Sequence, residues 1–351
     1  MRILVLGATG YVGTRLVPAL LEAGHEVVAA SSSPPDPGRF AWGAGVTHRR
    51  CDVTDAVAVA NAVAEVDAVC YLVHSLDLRD FSNRDRAAAR NVRRAVDAST
   101  EVRRLVYLGG LVPDEPPGAL SAHLASRLEV EQELLAAECD TLALRAGVVV
   151  GAGSTSFEVV RQLATLLLVH PIPRWLHSSV QPVAVTDVVR ALVEGFDESV
   201  PRTGTLDVGG PDVVTYPRLL RVCTRGARLR RVSVPVLSAP PGLVSLATAG
   251  LVQAPFWTVA ALVESLRHDM VCRPGETWQP ADGVPLLPLE EAIDRALAGD
   301  PTTAEAPLAS DPAWTRQRAP VLDELRAPAA VRAGASLALH RTRGLLRLGR
   351  G

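Results

Sequence analysis

Lysine is absent from the 351 residues, and all 36 basic side chains are arginine. A Schiff-base lysine and any Tyr-x-x-x-Lys pair are therefore excluded, and arginine cannot stand in as a proton shuttle because its guanidinium stays charged. Cysteine is scarce. Cys51, Cys70, Cys139, Cys223 and Cys272 are odd in number and include no CxxC pair, which argues against a zinc site or a redox dithiol and suits reduced core thiols of a cytoplasmic protein. No metal is expected. Neither sign of charge dominates, since the formal net charge is −2, so no global field draws nucleic acid or an anionic membrane to the molecule. The expected partner is a small-molecule substrate, and association into a homo-oligomer is left open.

Unbroken apolar runs are missing too. Met1 to Leu6 is too short for the apolar region of a secretory signal and reads as a buried strand. Val232 to Val263 carries no charge, but Pro235, Pro240, Pro241, Gly242, Gly250 and Pro255 cut it into pieces shorter than the roughly 20 residues of a spanning helix. No membrane span is expected, and the run reads as buried helices around a substrate pocket. From Arg326 the tail has Arg332, Arg341, Arg343, Arg347 and Arg350 and no acid, the pattern of a basic amphipathic helix or of a solvated terminus.

What is present is alternation. Ile3–Leu6, Glu26–Ala30, Val46–Arg50, Ala68–Leu72, Leu105–Leu108 and Leu142–Arg145 read as strands, with helical spacing from Tyr11 and over Arg84–Ala98 and Leu124–Ala137. Gly24 stands where a helix-terminating glycine belongs. Such alternation predicts an α/β fold, a doubly wound parallel Rossmann sheet with a smaller, discontinuous C-terminal substrate lobe. The expected division is a dinucleotide-binding domain over 1–150 with returns at about 181–208, a substrate lobe mainly over 151–300, and a tail of unknown role over 301–351. Thr186 or Asp187 is the expected cap of a helix, and Gly204–Val208 a late edge strand.

Gly7-Ala8-Thr9-Gly10-Tyr11-Val12-Gly13 links the first strand to the first helix. In this context the first glycine permits the tight turn, the second lets backbone approach a pyrophosphate, and the third allows close helix–strand packing. The helix N-terminus supplies free N–H groups and a positive dipole end for the phosphates. After the second strand the chain reads Ser31-Ser32-Ser33-Pro34-Pro35, with no carboxylate before Asp36 and with Arg39 nearby. An acidic residue there would select NAD, so NADP is the expected cofactor and NAD the less favoured one. Asp52, in Cys51-Asp52-Val53-Thr54-Asp55, ends the third strand within reach of an adenine amino group, while Asp55 or Thr54 can cap the next helix.

These segments, with Tyr71-Leu72-Val73-His74-Ser75, Leu105-Val106-Tyr107-Leu108-Gly109-Gly110, Leu144-Arg145-Ala146-Gly147-Val148-Val149-Val150-Gly151 and Gln181-Pro182-Val183, resemble the successive motifs of extended and atypical short-chain dehydrogenases/reductases of the NmrA-like, NAD(P)H-binding kind. The resemblance covers about residues 1–300. It implies further cofactor-binding residues at Leu72, Val73 and His74, at Gly109 and Gly110, and at Ala146, Gly147 and Val148. The family pattern also has a serine ending the fifth strand, followed by Tyr-x-x-x-Lys. Here Gly109-Gly110 replace the serine, and His123-Leu124-Ala125-Ser126-Arg127 falls at the Tyr-x-x-x-Lys position.

By that match His123 is the candidate proton donor, its imidazole titrating near neutrality, and Arg127 the ribose-binding group. Ser121 would cap their helix. Tyr11, the tyrosine with a basic residue four positions on, lies in the phosphate loop. Gly151 to Ser156 should leave the carboxyl edge of the sheet, and Phe157, Trp175 and Trp257 are the candidate substrate-wall aromatics. The resulting expectation is an NADPH-dependent reductase of a small carbonyl, enone, quinone or imine. The alternatives are a cofactor-retaining lyase, isomerase or epimerase, and a non-catalytic dinucleotide sensor.

Overall fold

The computed structural model describes residues 1–34, 36–75, 80–197, 200–236 and 239–316. The basic tail beyond Arg326 lies outside them. The first half runs β1 (Arg2–Leu6), α1 (Gly13–Glu22), β2 (Glu26–Ser31), β3 (Thr47–Arg50), α2 (Ala56–Val63), β4 (Ala68–Tyr71), α3 (Phe81–Asp97), β5 (Arg104–Gly110), α4 (Ala122–Leu135) and β6 (Asp140–Ala146). Then come β7 (Val149–Val150), α5 (Thr155–Leu166), β8 (Val169–Pro173), β9 (Ser179–Val180), β10 (Val183–Ala184), α6 (Val185–Glu194) and β11 (Gly204–Val208). The remainder is β12 (Val214–Thr215), α7 (Tyr216–Gly226), β13 (Val232–Val236), α8 (Pro241–Leu251), α9 (Phe256–Ser265), α10 (Leu289–Ala298) and the short α11 (Ala313–Arg316).

Seven strands form one sheet in the order β11-β6-β5-β4-β1-β2-β3, and every pairing is parallel. Parallel strands need both faces covered, which is why β4 and all of β1 after Arg2 are apolar and buried. One face packs Ile3, Val5 and Val106 against α1 and α6 through Leu16, Leu20, Val188 and Leu192. The other packs Leu4, Leu6, Val69 and Leu105 against α2, α3 and α4 through Val59, Val92, Val130 and Leu134. Strand order reverses beside β1, with β2 on one side and β4 on the other, and ligands of such folds bind at the carboxyl edge there.

Local chemistry sets the element ends. Gly24 follows the end of α1 at φ +82°, the left-handed conformation a glycine adopts without strain. Pro18 sits inside α1 and cannot donate to the Thr14 carbonyl; Trp42 Nε1 donates to it instead, at 3.2 Å. Asp55 caps α2 by accepting from the Val57 and Ala58 amides, and Ser121 caps α4 by accepting from Leu124. The expected cap of α6 is corrected. Ala184 occupies the cap position, Thr186 bonds to Glu305, and Asp187, in the first turn, accepts from Arg190 and the Leu287 amide.

Past β6 the small sheets β7–β10, β9–β12 and β8–β13 and the helices α5, α7 and α10 enclose a separate core around Phe157, Ile172, Leu219 and Ile293. Helices α8 and α9 pack on it with Val159, Val259 and Val263. Among the described residues no helix is long and apolar enough to cross a membrane.

Candidate functional site

A cleft of about 1170 Å³ runs along the carboxyl edge of the sheet, larger than the roughly 300–1,000 Å³ of a single small-molecule pocket. Its floor at one end is the loop from Gly7 to Gly13. Gly7 has φ +90°, and a Cβ on Gly13 would stand 2.3 Å from the Gly7 carbonyl oxygen, so the tight turn excludes side chains at both positions. No side chain caps α1. Its positive dipole end faces the cleft and favours an anion there, although the Thr14 and Arg15 amides already donate to the Gly10 and Val12 carbonyls. Thr9, Gly10, Tyr11 and Val12 also line this end.

Ser31, Ser32 and Arg39 line the cleft beyond β2. Ser33 is exposed beside them, and its carbonyl accepts from the Ser31 hydroxyl. Cys51, Asp52 and Val53 line the neighbouring wall. Asp52 accepts from the Thr54 amide and hydroxyl, and those bonds hold its carboxyl below the usual range. Burial pushes the Cys51 thiol up to about 11, which removes it as a nucleophile.

Leu72, Val73, His74, Gly109, Gly110, Ala146, Gly147 and Val148 come together further along, as do His123 and Arg127 from α4. Arg127 Nη2 donates to the Leu108 carbonyl at 2.5 Å, and its guanidinium lies 5.1 Å from the Tyr107 ring centre. The Nη1 nitrogen of Arg127 and Nδ1 of His123 are buried without a hydrogen-bond partner among the described residues. Unpaired buried polar atoms are costly. Both stand on α4, four residues apart, in the wall of the cleft.

The expectation that His123 titrates near neutrality is corrected. Burial, with the Arg127 charge and His74 beside it, lowers its pKa to about 3. The His123 ring is uncharged at neutral pH, and His74 stands exposed in the cleft wall beside it. Beneath them lies Asp85, which the sequence reading missed. It is 2% exposed, bonds Ser75 and sits in the field of Arg127, and burial raises its pKa. Its only sequence signal is an acid on the buried face of α3.

Two of the three expected substrate-wall aromatics, Phe157 and Trp175, are corrected as well. Phe157 is 1% exposed and belongs to the core. Trp175 packs between the two lobe cores and donates to the Ala239 carbonyl. Trp257 lines a second cavity of about 620 Å³ together with Phe81, Leu246 and Phe256, which adjoins the cleft at His123. The walls of the cleft in this lobe are mainly aliphatic, with Tyr216 the aromatic among the lining residues.

Residues after 300 carried no expected role, yet Ala309 to Ala313 line the cleft above the phosphate loop. Their anchor is Arg15. Its guanidinium donates to Asp311 at 3.0 Å through both terminal nitrogens and to the carbonyls of Tyr11, Ala152, Ala304 and Ala306. The side chains of the pair are 3% and 1% exposed. Arg15 also stacks on the Tyr11 ring at 4.0 Å, and burial raises the Tyr11 pKa. Tyr11 and Arg15 thus form a structural clamp.

A family model described as NAD(P)H-binding matches residues 7–167. That match agrees with the NAD(P)H-binding resemblance of the motifs over the same residues. It is similar to uncharacterized protein Rv2047c of Mycobacterium tuberculosis, 29% identical over 237 residues that make up 67% of this chain. The chain spans only 24% of the length of that relative. Among solved structures it is similar to the Bordetella bronchiseptica enzyme WbmH in complex with NAD+, at TM-score 0.61 and 19% identity, covering 85% of this chain and 97% of that one. The UDP-glucuronic acid 4-epimerase of Bacillus cereus, in complex with UDP-glucuronic acid and NAD, gives 0.57 and 14%, covering 85% and 98%. These two likenesses are of fold.

Proposed function

We propose that the protein is an NADPH-dependent oxidoreductase that reduces a small carbonyl, enone, quinone or imine. The observation that carries this reading is the pair of unpartnered nitrogens, His123 Nδ1 and Arg127 Nη1, in the wall shared with Gly109, Gly110 and Gly147. The residues fit a dinucleotide: the uncapped α1 and the loop at Gly7 and Gly13 would hold the pyrophosphate, Ser31, Ser32 and Arg39 a 2′-phosphate, and Arg127 the nicotinamide ribose. When bound, the cofactor supplies a hydride. His123, uncharged, orients the substrate oxygen through its ring N–H, Arg127 fixes a positive charge beside it, and water delivers the proton.

A second reading, a cofactor-retaining lyase, isomerase or epimerase, is favoured by the segment from Ala309 to Ala313 over the phosphate loop, which would slow dinucleotide exchange. One assay separates the readings. NADPH oxidation with a panel of carbonyl and imine compounds supports reduction, conversion without net consumption supports the second reading, and dinucleotide binding without turnover rejects both.

A further inference from the structure

The part of the cleft beyond His123 has a one-sided chemistry. Val159 and Leu163 of α5, Leu220 of α7, Leu262 of α9, and Leu266 and Met270 after it form its walls. Ser154, Thr155, Ser156, Tyr216 and Ser265 bring the hydroxyls of this lining, of which Ser154 donates to the Val149 carbonyl at 2.8 Å and Ser265 to the Ala261 carbonyl at 3.0 Å. Among the described residues, the charged groups lining the cleft are Arg39, Asp52, Arg84, Arg127 and Asp311. Arg39, Asp52 and Arg84 stand at the β2–β3 end, where Arg84 acts on Asp52 and Arg39 donates to Ser310. Asp311 is held by Arg15. After residue 150 the described lining offers no cation at all.

A diphosphate or a polyhydroxylated ring placed there would lose its hydration without a cation or enough donors in exchange. An apolar body would gain by the same burial. We propose that the substrate is a neutral, mainly aliphatic or alicyclic molecule bearing one carbonyl or imine group at the end that meets His123, and not a nucleotide sugar. This rests on the reading of the His123 end as the reacting end.

The test uses the full-length protein saturated with NADP+ for binding and supplied with NADPH for turnover, with 2-alkanones from 2-butanone to 2-decanone, and UDP and UDP-glucose as polar probes. Calorimetric affinity for the ketones should tighten about fourfold for each added methylene until the cavity is filled, the ratio that burial of a CH₂ gives. UDP should not bind. Leu262→Asp, or Leu220→Asn if that variant does not fold, should weaken 2-decanone at least tenfold while leaving NADPH affinity unchanged. Affinity that ignores chain length, failure to bind 2-decanone, or binding of UDP overturns the proposal. Tight 2-decanone binding without NADPH oxidation supports the substrate class and removes the reductase reading. Oxidation of NADPH by 2-butanone and 2-decanone with equal kcat/KM keeps the reductase reading and overturns the apolar one.

Discussion

At the scale of single residues, Gly10 has the simplest role. A Cβ there would meet only the Gly7 carbonyl, at 3.2 Å, so the protein should tolerate a side chain that the pyrophosphate cannot. Gly10→Asp should abolish NADPH binding in calorimetry while the circular dichroism spectrum stays native; unchanged affinity would mean that this loop does not hold phosphate. Ser32 tests cofactor choice. Wild type should prefer NADPH over NADH, and Ser32→Asp should narrow or reverse that ratio by placing a carboxylate against the 2′-phosphate. His123 and Arg127 should separate. His123→Phe should keep dinucleotide affinity and lower kcat by about 10²-fold, as loss of one preorganised donor does, whereas Arg127→Ala should weaken the dinucleotide itself. Because the ring is neutral down to about pH 3, the wild-type rate profile should show no limb near pH 6.5. A limb there, absent from His123→Phe, would restore the histidine as the acid.

At the scale of elements, the segment after α10 is bound to the phosphate-loop helix through one buried ion pair. Removing half of such a pair leaves an uncompensated charge, which typically costs about 3–5 kcal/mol. Asp311→Ala should therefore shift the denaturant midpoint strongly, and Arg15→Met with Asp311→Leu should recover much of the loss. NADPH release, followed by stopped flow, should accelerate in the double variant, because the apolar pair restores stability but not the Arg15 bonds to Ala304 and Ala306 that hold the segment. Equal release rates in wild type and double variant would mean that the segment does not retain the cofactor. The ion pairs between α3 and α4, such as Arg86 with Glu129, are half exposed and should contribute little in comparison.

At the scale of the whole molecule, the buried histidine couples stability to pH. The unfolded chain protonates His123 below about pH 6.5, and the folded chain does so only near 3. The unfolded state thus binds more protons across this window, and the stability present above pH 6.5 is lost progressively as the pH falls through it. The drop in denaturant midpoint between pH 7 and pH 5 should be smaller in His123→Gln than in wild type. An equal drop would mean that the ring is solvated in the native state.

The parallel sheet and the phosphate loop were legible because they are local: a four-residue apolar strand, three glycines at fixed spacing and a following helical stripe are dictated by backbone sterics and periodicity over some twenty residues. The serines after β2 and the His123–Arg127 spacing were visible for the same reason. What the sequence could not supply was environment. Burial, not residue type, sets the imidazole of His123 far below its ordinary pKa, puts Phe157 in a core, and brings Asp85 under the cleft. The pairing of Arg15 with Asp311 joins residues at opposite ends of the described chain. No periodicity reports such a contact, because only packing α1 against the segment after α10 decides which carboxylate meets that guanidinium.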